Sequence, residues 1–324
     1  MRQRYFFALF IALFFAFFEL NCGGGTLAAS KSNSNVSPGQ TPANSGDPAA
    51  GTSNGPSTGN GSLGGATGGS NSGNSGSGSG GSGSGSDTQG TTMSNLHQQS
   101  GWQSYGELPP SYSLCDSCSP GGPNVTWSMQ LGVTSPSMSG NSTAFAIGGQ
   151  ENYADVIWIN HLIGQGSTQS LPDPDGTLNA ATHNFIYDVY FYGTDLTKAQ
   201  ALEFDINQFV DGKSFVWGHQ CRVANGANWW DISINNGQDW QPSSAACNPK
   251  ENAWNHLTIQ VQRTSDDKLL FQSITLNGNT TTLNHQEDPG STDWKGITIN
   301  YQQDGDYAQH PYTVWLDQLN FTYW

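Results

Sequence analysis

Positive charge is scarce in this chain: 10 Lys+Arg stand against 25 Asp+Glu, for a formal net charge of −15 over 324 residues. Seven of those cations and 22 of those acids fall after residue 95, so that part of the chain carries the whole imbalance. Such an acidic surface repels phosphate backbones and excludes nucleic acid as a partner; it disfavours anionic polysaccharides for the same reason. Long apolar runs are also scarce. YFFALFIALFFAFF, residues 5–18, is 14 residues long, short of the roughly 20 that a spanning helix needs. Dinucleotide and phosphate-cradling glycine motifs are missing from the acidic part, and the Gly-x-Gly strings upstream follow from composition alone.

The short apolar run has another use. It follows the basic start Met1-Arg2-Gln3-Arg4 and ends in Glu19-Leu20-Asn21-Cys22-Gly23, which is the layout of an export signal. The ending resembles the processing site of a bacterial lipoprotein, in which Cys22 would be lipidated. The expectation is an exported outer-membrane or cell-surface lipoprotein with a signal peptide over 1–22, touching the membrane only through its lipid. Cleavage near Thr26-Leu27-Ala28-Ala29 and secretion is the alternative. Residues 23–95 are Gly, Ser, Asn, Thr and Pro with almost nothing to bury. Such a segment is expected to stay a disordered tether, with an r.m.s. span on the order of 45 Å. All eleven Trp lie beyond it, in residues 96–324, a length suited to one sizeable domain.

Cysteine is sparse, at five. Giving Cys22 to the lipid leaves four in an exported chain, where thiols oxidise. Three pairings are open, and the one expected is Cys115–Cys118 with Cys221–Cys247. Cys-x-x-Cys is also half of many zinc sites, but no second such pair and no His-x-x-x-His follows.

Helical periodicity is nearly absent; DLTKAQAL (195–202) could form a turn and little else could. Alternating segments take its place: NVTWSMQLGV (124–133), STAFAIGG (142–149), DVIWINHLI (155–163), HNFIYDVYFYG (183–193), ALEFDINQFV (201–210) and KSFVWGHQCRV (213–223). Further along come NWWDISIN (228–235), WNHLTIQVQRT (254–264), LLFQSITLNG (269–278), GITINYQQ (296–303) and TVWLDQLNFTYW (313–324). Period-2 alternation with β-branched and aromatic residues predicts an all-β, two-sheet jelly-roll sandwich.

One hairpin can be registered by eye. Asp211-Gly212 is a strong two-residue turn, so Val210 faces Lys213, Glu203 faces Gln220, and Phe204 faces His219. Cross-strand partners share a face. Leu202, Phe204, Ile206, Trp217, His219 and Cys221 are then core, and Glu203, Asp205, Asn207, Gly218 and Gln220 are solvent-side. His219 is expected to be a buried, hydrogen-bonded histidine.

The strand ALEFDINQF resembles the active-site strand of concanavalin A-like glucanases, which carry Glu-x-Asp-x-x-Glu. WNHLTIQVQRT with LLFQSITLNG resembles paired strands of laminin-G and concanavalin A-like domains, and VWLDQLNFTYW resembles the closing strand of sugar-handling sandwiches. The resemblance covers about residues 124–324 and implies a concanavalin A-like fold. It makes Glu203 the nucleophile and Asp205 the helper carboxylate if the chain is an enzyme. The acid/base position falls on Gln208 or Asn207, and neither can donate and recover a proton. Retaining hydrolysis needs two carboxyl groups about 5 Å apart, so another strand would have to supply one; Asp188 is a candidate.

The expected function is therefore binding of neutral polysaccharide or oligosaccharide by a monomer. Asp188, Tyr190, Tyr192, Glu203, Asp205, Asn207, Gln220, Trp230 and Trp240 are expected to line one surface, aromatics covering sugar CH faces and polar groups fixing hydroxyls. Glycoside hydrolysis or polysaccharide lysis on the same face is the first alternative, and a structural adhesion domain the second. No cofactor is expected. Asp173-Pro174-Asp175-Gly176 and Asp304-Gly305-Asp306 are oxygen-rich, but neither matches a twelve-residue calcium loop, so structural Ca²⁺ is only an alternative.

Overall fold

The computed structural model describes residues 90–324. The expected signal segment, Cys22 and nearly all of the expected tether lie outside the described residues. The strands are β1 (Thr91–Met93), β2 (Gln103–Glu107), β3 (Val125–Val133), β4 (Ser142–Gly149), β5 (Asp155–Gly164) and β6 (Asn184–Gly193). They continue as β7 (Ala199–Val210), β8 (Lys213–Trp217), β9 (His219–Arg222), β10 (Trp229–Ile234), β11 (Asp239–Ala246) and β12 (Trp254–Arg263). Last come β13 (Leu269–Leu276), β14 (Asn279–Glu287), β15 (Gly290–Ser291), β16 (Gly296–Gly305) and β17 (Tyr312–Tyr323). Among the described residues one short α-helix, α1 (Thr177–Ala181), precedes β6, and three single 3-10 turns lie at Leu96–Gln98, Leu196–Lys198 and Ala224–Gly226.

Two antiparallel sheets face each other. Sheet I runs β14-β13-β12-β6-β17-β4-β3, with β1 added against β17; sheet II runs β11-β10-β9-β7-β16-β5-β2, with β8 also on β7 and β15 on β8. The central strands of each sheet come from distant parts of the sequence, which is the jelly-roll arrangement. Because β1 pairs with the last strand, folded structure begins before residue 96, the expected domain start.

The strands form because their apolar residues recur every second position and the core between the sheets takes up that beat. In β6, Phe185, Tyr187, Val189 and Phe191 are buried while the residues between them are half-buried. Phe204 of β7 meets them from sheet II, its ring centroid 6.0 Å from Tyr187 and 5.5 Å from Phe191. Trp158 and Tyr301 of sheet II close on Phe145 of β4, each at 5.1 Å. The strands that alternation does not reveal include β2, β11 and β14, all of which lie at a sheet edge. An edge strand buries little, so its sequence is free to be polar, and β11 even holds Pro242.

The β7–β8 hairpin turns at Asp211 (φ 52°) and Gly212 (φ 76°), the left-handed pair a two-residue turn requires. Its register is the expected one: Val210 opposite Lys213, Ile206 opposite Trp217, and Glu203 opposite Gln220 in β9. Both expected disulfides are present, Cys115–Cys118 and Cys221–Cys247. The second spans 26 positions against 3 for the first and therefore restricts the unfolded chain far more. Replacing Cys221 and Cys247 by Ser should cost about 3 kcal/mol, and the Cys115/Cys118 pair much less. Urea unfolding of the two double variants checks that order.

Candidate functional site

The site grows from β7. Leu202, Phe204 and Ile206 point into the core, so Glu203, Asp205 and Asn207 must point to the other side of sheet II. Neighbouring strands extend the polar row, since Gln302 lies opposite Glu203, Asn300 opposite Asp205 and Thr298 opposite Asn207 in β16. One beat further, Asp304 stands opposite Asp155 of β5, and Asp155 opposite Glu107 of β2. On the other flank, Gln220 is followed by Asp231 of β10. Five carboxyl groups thus cross four strands of one face: Glu203 and Asp205, then Asp304, Asp155 and Glu107.

Hydrogen bonds hold some of these groups. The Gln220 side-chain amide donates to Glu203 Oε1 at 3.0 Å and to Asp304 Oδ2 at 2.9 Å. Gln302 donates to Asp304 Oδ1 at 3.0 Å. The His219 backbone N–H donates to Asp205 Oδ1 at 3.1 Å, and the Gly305 N–H to Asp155 Oδ1 at 3.2 Å. Other buried polar atoms have no protein partner: both Glu107 oxygens, Glu203 Oε2, Asn207 Oδ1, Gln220 Oε1, Gln302 Oε1 and Trp240 Nε1. Asn300, opposite Asp205, adds an unpaired amide nitrogen and oxygen, so the row holds donors as well as acceptors.

Burial and mutual repulsion raise the carboxyl pKa values. Glu203 is pushed well above the usual range by burial, then by Asp304, Asp205, Asp155 and Glu107. Glu107 is raised well above it by burial, then by Asp304 and Asp205. Burial takes Asp205 to about 7 against the pull of the His219 N–H and Asn300. Burial takes Asp304 to about 6 against the amides of Gln302 and Gln220. Protons are therefore held on this face near neutral pH, which leaves it able both to donate and to accept.

Aromatic rings flank the row. Trp240 lies opposite Ser233, and a Cβ on Gly218 would stand 3.0 Å from its ring. Glycine at 218 is what lets the indole lie against the sheet, and it also separates β8 from β9. Trp229 is 36% exposed and donates from its indole to Asp231 at 2.8 Å; the Arg222 guanidinium lies 6.0 Å from its ring centre and bonds Asp231 at 2.8 Å. At the opposite flank Trp294 meets Phe209 at 5.0 Å and His161 at 5.1 Å.

Of the expected surface, Glu203, Asp205, Asn207, Gln220 and Trp240 do share this face, but the first four are buried rather than solvent-side, at 0%, 6%, 0% and 2% exposure, because the neighbouring polar side chains of the row pack over one another. Trp230 does not: it is fully buried, 6.1 Å from Phe204, and Trp229 is the outward member of that pair. Asp188, Tyr190 and Tyr192 do not either, because β6 belongs to sheet I and its neighbours are β12 and β17. Asp188 is held there by His256 Nε2 at 2.9 Å and the Thr258 hydroxyl at 2.7 Å, so it cannot supply an acid beside Glu203. Gln208 faces the core side and donates to the carbonyls of Asn179 and Thr182. His219 is buried as expected, with its pKa pressed down to about 3 by burial.

The carboxyls that sequence reasoning left out of this face are Asp304, Asp155 and Glu107. A signal existed: Thr298, Asn300, Gln302 and Asp304 fall on one period-2 beat, although Asp304 reads more readily as a loop residue. The loops considered for calcium are closed on themselves. Asp173 accepts the N–H groups of Leu178 (3.0 Å) and Asn179 (2.9 Å), and Asp306 accepts those of Ala308 (3.1 Å) and His310 (3.0 Å). Among the described residues no cluster of three or more His, Cys, Asp or Glu could hold a metal ion.

No protein-family model matches this sequence, and neither does any curated protein. Solved structures similar in architecture include a cellulose-induced protein, Cip1, at 13% identity and TM-score 0.38, covering 63% of this chain and 88% of that one. Peanut lectin matches at 11% identity and TM-score 0.32, over 69% of this chain and 98% of the lectin. Alginate lyase Aly36B matches at 11% identity and TM-score 0.38, over 60% of this chain and 87% of the lyase. Likeness this distant decides nothing about activity. The strand order itself identifies the architecture. It is an antiparallel two-sheet sandwich of jelly-roll type.

Proposed function

We propose that the outer face of sheet II binds a neutral polysaccharide laid across its strands. The observation that carries this is the row of buried polar atoms without protein partners, flanked by the indoles of Trp229, Trp240 and Trp294. Unpaired buried polar atoms are costly; the rings cover sugar CH faces, and the row beneath them, closed to solvent in the free protein, gains hydrogen-bond partners as a sugar enters. The one arginine near the row, Arg222, is already bonded to Asp231, so a polyanion finds no free cation there. In this reading the chain is exported and held at the cell surface through lipid on Cys22, with residues 23–95 as its tether. Mass spectrometry of the mature N-terminus checks that, and an unmodified start near Ala29 would refute it.

Native affinity gels loaded with separate neutral, anionic and cationic glycans test the binding. Retardation is expected on a neutral glycan, and Asp304→Asn with Glu203→Gln should weaken it by about tenfold or more, in line with the loss of paired polar contacts. No retardation of the native protein on any neutral glycan would sink the reading.

A second reading, glycoside hydrolysis, is favoured by one specific contact. Glu203 and Asp304 both accept from the Gln220 side-chain amide, at 3.0 Å and 2.9 Å, so the two carboxyl groups stand side by side, as a retaining pair must. Asp304, with the lower pKa of about 6, would act as nucleophile, and Glu203, raised well above the usual range, as the acid that protonates the leaving oxygen and then activates water, the reverse of the roles the sequence resemblance implies. Lysis is the weaker chemistry here, because the one nearby arginine, Arg222, is already bonded to Asp231 and leaves a uronate without a cation. Reducing ends released from a neutral β-glucan by the native protein, and lost in both Glu203→Gln and Asp304→Asn, would support hydrolysis; no release from any neutral glycan would leave binding alone.

A further inference from the structure

The outer face of sheet I, on the far side of the sandwich from the carboxyl row, carries a second group of aromatic side chains. Trp254 of β12 lies opposite Tyr192 of β6, and Tyr192 lies opposite Trp315 of β17. The ring centroids of Trp254 and Trp315 are 5.5 Å and 5.9 Å from that of Tyr192. All three residues are half-buried and turned away from the core. The same row continues through Ala144 of β4 to Gln130 of β3. The next row toward the loop holds Thr313, Ala146 and Ser128, so small side chains leave Trp315 open along one side. The row on the other side places Tyr190 face to face with His256, at 4.2 Å and 5° between planes.

Charge sharpens the picture. The chain carries −15 overall, yet between β3 and β12 the outward positions hold two carboxylates, both engaged within the protein: Asp188 is bonded to His256 and Thr258, and Asp317, opposite Tyr190, accepts from the Ser137 hydroxyl and the Met138 and Ser139 N–H groups. Toward β13 and β14 the outward residues are hydroxyl and amide: Thr258, Thr275, Thr280, Gln260 and Ser273. A face whose carboxylates are already paired suits an uncharged partner. Strands lie about 4.8 Å apart, so three rings on three successive strands cover about the length of a disaccharide in an extended chain.

We propose that this face is a second glycan-binding surface, in which an extended neutral polysaccharide crosses β12, β6 and β17 over Trp254, Tyr192 and Trp315. The proposal rests on the glycan reading of the chain, and it makes the domain bivalent, with one site on each outer face. Two chains bound on opposite sides of one sandwich are bridged by it, and avidity on a polymer mat then exceeds that of either face alone.

A bridging assay separates the two faces. Beads coated with a neutral polysaccharide that retards the native protein are mixed with the full chain and a fluorescently labelled soluble form of the same glycan, and captured label is read. Native protein should capture it. Trp254→Ala with Trp315→Ala should still be retarded on the gel through sheet II but lose at least roughly tenfold in captured label. Glu203→Gln with Asp304→Asn should keep a weakened, residual retardation through sheet I and likewise lose bridging. Aromatic pairs on a sheet can also serve stability alone; a row variant that melts lower yet bridges as well as native protein would overturn the proposal. Abolition of all binding by the Glu203/Asp304 pair would overturn it too while leaving the sheet II reading intact. Retention of full binding by that pair, with loss in the Trp pair, would instead remove sheet II as the site. Trp315→Gln alone, judged by its urea midpoint, guards against misfolding of the double variant.

Discussion

Lowering the pH from 8 to about 6.5 should make this domain more stable, the reverse of the usual behaviour of proteins held by ionised carboxylates. Asp205 ionises at about 7 in the folded protein and Asp304 at about 6, both above the ordinary 3.8, while Glu203 and Glu107 are raised well above theirs. Between the unfolded and folded values the native state holds more protons than the unfolded chain. The stability these groups confer is therefore complete below about pH 4 and is lost as the pH rises through their folded values. Histidine opposes this on the acid side. His219, with its pKa at about 3, stays neutral when folded but takes a proton near 6.5 when unfolded, and His97 and His161 are shifted in the same direction. Their contribution falls as the pH drops below about 6.5 and offsets part of the carboxyl gain on the acid side. The gain from pH 8 to 6.5 should be on the order of 1 kcal/mol, or about 2 °C in melting temperature. Thermal melts across pH 4–9 read it directly. Glu203→Gln with Asp205→Asn should flatten the alkaline limb; a melting temperature highest at pH 8 in the native protein would contradict the carboxyl row.

The second large effect lies one residue away. Phe204→Ala should cost about 3–5 kcal/mol, the range for truncating a buried Phe in a packed core. The ring is completely buried among Tyr187, Phe191, Trp230 and Tyr301, with centroids between 5.3 and 6.1 Å. The space it leaves spans the interface of the two sheets, where neither can close in without shifting its neighbours. Urea unfolding should show the midpoint fall with little change in slope. Glu203→Gln, at the adjacent position, should leave the midpoint at pH 8 unchanged or higher. A loss below about 1 kcal/mol at Phe204 would mean that the β7 faces are assigned the wrong way round.

Within one hairpin, pattern was enough. Alternation in ALEFDINQF together with Asp211-Gly212 set which side each residue of β7 faces, and the register extends as counted to Gln220 in β9. Between hairpins it was not enough. The alternation of β6 correctly separates Phe185, Tyr187, Val189 and Phe191 from Asp188, Tyr190 and Tyr192, but nothing local says which sheet β6 joins. Its partners lie at Trp254–Arg263 and Tyr312–Tyr323, far along the chain. Trp229 and Trp230 illustrate a smaller ambiguity, since one of two adjacent indoles on a strand must face the core and the pair alone does not say which.

The sequence by itself determined the all-β class, the orientation of β7 and the absence of a proton donor at Gln208, and it narrowed the disulfides to three pairings, of which the expected one is present. These follow from period-2 alternation, turn chemistry and residue type, which act over a few positions. Only the tertiary structure decided that Asp304 stands beside Glu203, that Trp229 rather than Trp230 faces outward, and that Tyr192 belongs to the opposite side of the molecule. Those facts depend on pairing between strands up to a hundred or more residues apart. In a jelly roll the hydrophobic beat tells a strand which way to turn its side chains, but burial of both sheets at once selects the neighbour.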